Sequence, residues 1–259
     1  MKIVLIGAGN VATQLGIALK EKNFQVIQVY SRTLSNAEML GKKLQTDFTS
    51  RLQEITTQAD LYIFAVKDAA LSPVLKVFPP TKGLWVHTAG SLPMDIFKDS
   101  SASRYGVFYP LQTFSKNRKI SFEHIPVFLE ANDPKDEQLL EKIALSLSDK
   151  VIRLSSEKRK YLHLAAVFAC NFTNHLYDIA AQLLENLEID WKVLLPLIEE
   201  TAGKVQELSP REAQTGPAVR HDVPVIEKQM EMLKGDPGKQ NIYRILSRDI
   251  CPADDNVFI

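Results

Sequence analysis

Short apolar runs alternate with helical-period segments over the first half of the chain, and helical periodicity alone fills the second half. The runs at 2–6, 25–30, 61–66, 84–87, 104–108, 125–129 and 151–154 predict strands. Leu61-Tyr62-Ile63-Phe64-Ala65-Val66 is apolar without a break, as a parallel strand covered on both faces requires. Strands alternating with helices in this way form a doubly wound, mostly parallel α/β sheet. Past Glu157 the strand signal ends, and helical patterns run over 157–186, 190–208, 223–234 and 237–250. Asp190, Asp222 and Asp236 precede three of these helices as N-caps, and Pro224 and Pro237 stand in first turns. The pattern predicts an α/β domain over 1–156 and a smaller all-α domain over 157–259, with a tight junction near Ser155-Ser156.

The first strand runs directly into Gly7-Ala8-Gly9-Asn10-Val11-Ala12 and then into an amphipathic helix. A G-x-G-x-x-A turn between strand and helix is the arrangement that binds a dinucleotide. Gly7 allows the tight turn, Gly9 lets a pyrophosphate reach the backbone, and Ala12 lets helix and sheet pack closely. The helix start supplies unpaired N–H groups and partial positive charge. The second strand ends in Ser31-Arg32-Thr33, where an NAD site carries a carboxylate for the ribose hydroxyls. No acidic residue lies between Gln25 and Leu34. Arg32 offers a planar fork to a 2′-phosphate, so the expected cofactor is NADP.

Composition narrows the classes. The 259 residues carry 31 basic and 31 acidic side chains, so no global field favours nucleic acid or an anionic membrane. No apolar stretch approaches the length of a membrane span. The chain opens on a strand without a charged, apolar leader, from which a cytoplasmic location is expected. Cys170 and Cys251 lack metal-ligand spacing, and no metal is expected.

Three more strand ends belong to the same crevice: Ala65-Val66-Lys67, His87-Thr88-Ala89-Gly90, and Tyr109 with the segment after it. The small residues at 89–91 admit a nicotinamide close to the backbone; the plainer alternative is a turn before Pro93. In the second half, 161–174 reads as a buried helix on which His163, Val167, Asn171 and Asn174 form one stripe. An imidazole and two amides on an apolar helix need partners, and facing the crevice they would supply a proton donor and a substrate-orienting amide. Arg220 reads more simply as a surface residue beside a capping aspartate than as a carboxylate ligand. Glu157-Lys158-Arg159-Lys160 reads as a solvated face, and Trp85 and Trp191 as packing.

Taken together, GAGNVA, SRT, HTAGS, YPLQTF, AAVFACNF and TGPAVRHD resemble a family of NADP oxidoreductases with a Rossmann-like N-domain and a short helical C-domain of unknown function. That family is similar in plan to pyrroline-5-carboxylate reductase and the deazaflavin-dependent NADP reductases. The chain departs from it at Tyr109, where the family has His, and at His221, where it has Gly. The expected activity is hydride transfer between NADP(H) and a small ketone- or imine-type substrate, with His163 or Tyr109 as proton donor and Asn171 orienting the substrate. The alternative is a non-catalytic NADP(H)-binding sensor or partner subunit. Two apolar stripes, Leu176/Ala180/Leu183/Leu187 and Leu194/Leu197/Ile198/Val205, exceed what a small helical domain can cover by itself. One stripe is expected to pack within the chain, and the surplus predicts a homodimer through the C-terminal helices.

Overall fold

The computed structural model describes residues 1–185 and 187–251. The chain divides into two compact units at Asn171/Phe172. The first contains β1 (Lys2–Ile6), α1 (Asn10–Glu21), β2 (Gln25–Tyr30), α2 (Leu34–Leu44), β3 (Asp47–Thr49) and β4 (Leu61–Phe64). It continues through α3 (Asp68–Val77), β5 (Leu84–His87), β6 (Tyr105–Pro110), β7 (Val127–Ala131), α4 (Pro134–Leu147), β8 (Val151–Arg153) and α5 (Ser156–Ala166). The strands form one eight-stranded sheet in the order β3-β2-β1-β4-β5-β6-β7-β8. All neighbours are parallel except β6 and β7. This is the expected doubly wound, mostly parallel Rossmann sheet.

Strand alternation divides the core. On one face Ile3, Leu5, Ile63 and Val86 pack with Leu15 and Leu19 of α1, Leu40 and Leu44 of α2 and Leu140 of α4. On the other, Val4, Ile6, Tyr62, Phe64 and Trp85 pack with Leu71 and Leu75 of α3 and with Phe97. Further along that sheet, Val107, Tyr109 and Phe128 form a third cluster that Leu162 of α5 helps to cover. Trp85 is a packing residue, as expected. The short β3 escapes the sequence pattern because Asp47-Phe48-Thr49 is too brief to show alternation.

The expected continuous helix over 157–186 is broken. Ser156–Ala166 is α-helical, Val167–Phe172 is π-helical, and α6 resumes at Thr173–Glu185. It is also not buried: Leu164, Phe168 and Phe172 are exposed, and so are Asn171 and Asn174. A π turn carries more residues than an α turn, so the α spacing that defined the His163–Asn174 stripe does not hold across it.

The second unit adds α7 (Leu195–Glu207), α8 (Val223–Met232) and α9 (Pro237–Ile250). Asp190 and Asp236 cap as expected, accepting from the N–H groups of Lys192 and Lys239. Asp222 holds the N-cap position of α8 without a side-chain bond. Among the described residues of this unit only Ala218, Ile226 and Ser247 are buried. Trp191, expected to pack, is 38% exposed. His221, at the position of the family glycine, has φ +52°, in the left-handed region that favours glycine.

Candidate functional site

The sheet order reverses at β1: the chain runs outward through β2 and β3, then returns to β4 on the other side of β1. Crevices for ligands form beyond the carboxyl ends of parallel strands at such a point. Ile6 stands opposite Tyr30 and Phe64, Phe64 opposite His87, and His87 opposite Val107. The segments that follow β1, β2, β4 and β5, and the end of β6, therefore share one edge.

The β1–α1 turn is tightly held. The Gly7 N–H donates to the Tyr30 carbonyl at 2.7 Å, at φ +121°, and a Cβ there would lie 2.2 Å from the Ala65 oxygen. Ala8 and Ala12 are buried, Val11 is half-buried and Asn10 is exposed. Gly9 holds the N-cap position of α1 with no side-chain cap, and a Cβ on it would meet nothing within 4 Å. The first turn of α1 carries no acidic residue. This leaves an open approach to helix N–H groups, the electrostatic setting for an anion.

Beyond β2, Ser31 is half-buried, with its N–H donating to the Thr49 carbonyl at 3.2 Å. Arg32 and Thr33 are exposed, and the Thr33 hydroxyl makes no cap bond to α2. Ala65 is buried, Val66 half-buried, and Lys67 is exposed at the N-cap position of α3. Next to it the Asp68 carboxylate accepts from the Ser91 hydroxyl.

His87 is a core imidazole. It stacks on Phe97 at 5.7 Å between centroids, and its Nδ1 accepts from the Ala89 N–H at 3.2 Å, which puts the ring proton on Nε2. Burial, reinforced by the Arg159 charge, pushes its pKa down to about 3. The His87 ring is therefore enclosed in the core, and this strand end presents its backbone and the neighbours Thr88 and Ala89. Thr88 is buried, with its N–H donating to the Phe64 carbonyl at 3.1 Å.

The other side of the site joins β6 to α5. The Tyr109 hydroxyl lies 2.9 Å from His163 Nδ1. Tyr109 is buried, and desolvation pushes its phenol up to about 12 despite the lowering effect of Arg159. A Cβ on Gly90 would stand 2.6 Å from Cγ and Nδ1 of His163, so the missing side chain at Gly90 makes room for this imidazole.

Arg159, read from sequence as part of a solvated face, is wholly buried, whereas Glu157, Lys158 and Lys160 are exposed. Its Nη1 donates to Glu130 Oε2 at 2.7 Å and its Nη2 to the Leu92 carbonyl at 2.6 Å. Spacing held the signal: Ser156, Arg159 and His163 lie three and four residues apart on one helix face. Asn171 lies in the last part of the π segment, one residue before its end at Phe172, and is exposed; Arg220 is exposed beside His221.

A chain from Bacteroides fragilis described as a putative NADP oxidoreductase is 49% identical, with a TM-score of 0.91, over 96% of this chain and 97% of that one. This chain belongs to the same family. Its family profiles are "NADP oxidoreductase coenzyme F420-dependent" over residues 2–86 and a domain of unknown function, DUF2520, over 125–250. More distant members of the fold include 1-pyrroline-5-carboxylate reductase from Streptococcus pyogenes, 15% identical with a TM-score of 0.65 over 96% of this chain and 98% of that one. A reductive aminase from Aspergillus terreus, solved with NADPH and ethyl-5-oxohexanoate, is 13% identical with a TM-score of 0.71 over 99% and 96%. No curated protein matches the chain. As a member of this family, the chain carries the NAD(P)-binding oxidoreductase fold. Among the described residues no helix is long and apolar enough to cross a membrane, and no cluster of His, Cys, Asp or Glu suits a metal ion.

Proposed function

We propose that this protein is an NADP(H)-dependent reductase of a small substrate containing a C=O or C=N bond, and that Tyr109 and His163 supply the proton. The observation that carries the reading is the 2.9 Å contact between the Tyr109 hydroxyl and His163 Nδ1, near the carboxyl end of β6 on the edge where a nicotinamide would lie. The dinucleotide fits the residues at the edge. Gly7, Ala8, Gly9, Asn10, Val11 and Ala12 would receive the pyrophosphate, where the space beside Gly9 is open. Ser31, Arg32 and Thr33 would take the 2′-phosphate, with no carboxylate in the loop to repel it. Ala65, Val66, Lys67, His87, Thr88, Ala89 and Gly90 would line the nicotinamide half.

NADPH bound there supplies hydride to the substrate carbon. The chain's own part is the proton. Tyr109 is a neutral phenol at neutral pH, because burial opposes its ionisation. Its O–H bond breaks as the proton passes to the substrate oxygen or nitrogen; the phenolate then takes the Nδ1 proton of His163 while Nε2 of that half-buried ring takes one from solvent, so the imidazole ends neutral. The burial that makes phenolate costly drives the second transfer. Asn171 is assigned to orienting the substrate, and the functional unit is a homodimer joined through the C-terminal helices.

NADPH oxidation across small cyclic imines and ketones tests this. Tyr109→Phe and His163→Ala are each expected to lower kcat by about 100-fold or more, the usual contribution of a positioned acid, with NADPH affinity unchanged. Binding of NADPH without turnover of any substrate in the panel would instead favour a non-catalytic sensor.

A further inference from the structure

We propose that Arg159 is a positioning residue for the Tyr109–His163 pair: its buried guanidinium sets the rotation and depth of α5 at which His163 meets both Tyr109 and Gly90. The proposal rests on the reading of that pair as the reaction site.

Three elements must meet to form the pair, and Arg159 is bonded to each of them. From the sheet, Glu130 of β7 accepts from its Nη1; Glu130 stands opposite Val107, two residues before Tyr109 on β6. From the loop after β5, which carries Gly90, the Leu92 carbonyl accepts from its Nη2. On α5 itself, Ser156 Oγ lies 3.1 Å from the same nitrogen, donates to Glu130 Oε2 at 2.6 Å, and accepts the Met94 N–H at 2.8 Å. His163 follows Arg159 by four residues, about 6 Å along the same helix face. A helix pinned at Arg159 therefore delivers His163 at a set height over Gly90. That contact has no slack, since the space a Cβ would take at Gly90 is already filled by the imidazole.

A stabilising role alone is a poor explanation for this arrangement. Arg159 is 0% exposed and its Nε has no partner among the described residues, so it carries a desolvation cost that apolar packing would avoid. What the guanidinium supplies, and an apolar residue or a lysine does not, is a rigid fork reaching carboxylate, carbonyl and hydroxyl at once. The titratable groups that face it or the pair are Glu130, His87, Tyr109 and His163, with the Asp68 charge opposing the effect of Arg159 on Tyr109.

Two variants of the full chain test the proposal. Arg159→Lys keeps the charge and loses the fork. Arg159→Met combined with Glu130→Gln removes both charges, so that folding is not decided by an orphaned carboxylate. The first readout is the 15N and 1H resonance of the His163 ring, with Tyr109→Phe defining the signature of a broken pair. The second is kcat against KM for NADPH oxidation with the best imine or ketone of the panel. Both variants are expected to move the His163 signals to those of Tyr109→Phe, and to lower kcat by about 100-fold with NADPH affinity unchanged, as a displacement of about 1 Å does. Wild-type ring signals and kcat in the double variant would overturn the proposal, and so would full recovery by lysine, which would assign the effect to charge alone. If Tyr109→Phe leaves turnover intact while the Arg159 variants still disturb the His163 ring, the reaction-site reading fails and the positioning role stands.

Discussion

At position 87 the strand carries an imidazole into the core, and this has a consequence for stability. The folded pKa of His87 is about 3, against about 6.5 for an unburied histidine. Above pH 6.5 both states are neutral there and the contribution is complete. As pH falls from 6.5 toward 3, the unfolded chain takes up a proton that the folded chain refuses, and stability is lost at about 1.4 kcal/mol per pH unit. Urea unfolding followed from pH 7 to pH 4 is expected to show this slope in the wild type and not in His87→Phe, which keeps the stack on Phe97. Parallel acid limbs would mean that burial does not hold His87 neutral. At this scale Tyr109 and His163 were legible as candidates because one ends a strand and the other begins a polar stripe. Arg159 was not, since a lysine- and glutamate-rich neighbourhood describes three exposed residues and conceals the buried fourth.

The elements nearest the crevice follow local rules. Gly7 leaves β1 with positive φ, α1 starts uncapped by any side chain, and β2 ends one residue before Ser31. These features argue a prediction about the β2–α2 loop. Arg32→Asp replaces a charge-assisted phosphate contact of about 1.5–3 kcal/mol, so NADPH affinity is expected to fall by roughly 10- to 100-fold. NADH affinity is expected to stay nearly constant, and fluorescence titration of both cofactors reads the difference. Equal affinity of the wild type for NADH and NADPH would remove the assignment. The helix after β8 is the element where local rules failed. Periodicity sees apolar residues from Leu162 to Phe172 and calls for burial; it cannot see a π segment, which comes from backbone register and not from composition.

Across the molecule, apolar exposure is concentrated beyond β8. Leu164, Phe168 and Phe172 are followed by Leu176, Leu183, Leu187, Leu197 and Val205, each at least 38% exposed in the single chain. Both stripes of the second unit keep large exposed members, although one was expected to be covered within the chain. Large apolar side chains left exposed in one chain in this number are the surface an association would cover. Light scattering at micromolar concentration is therefore expected to give twice the 29.1 kDa chain mass. Leu183→Glu combined with Leu197→Glu is expected to shift the mass to that of one chain; a wild-type monomer that binds NADPH would refute the dimer and spare the cofactor.

The sequence by itself determined the sheet apart from the short β3, the helices packed on it, the glycine turn after β1 and the absence of an acidic residue after β2. These depend on periodicity and on residue types a few positions apart, which any reader of the chain can see. Tertiary structure decided the rest. It put His87 into the core, gave the space at Gly90 to an imidazole, and brought residues 109 and 163 within 2.9 Å. It also buried Arg159 against a carboxylate 29 positions away. Which residue of a polar helix turn meets the sheet is set by how the helix is rotated onto it, and that rotation is fixed by partners distant in the chain, which no local pattern records.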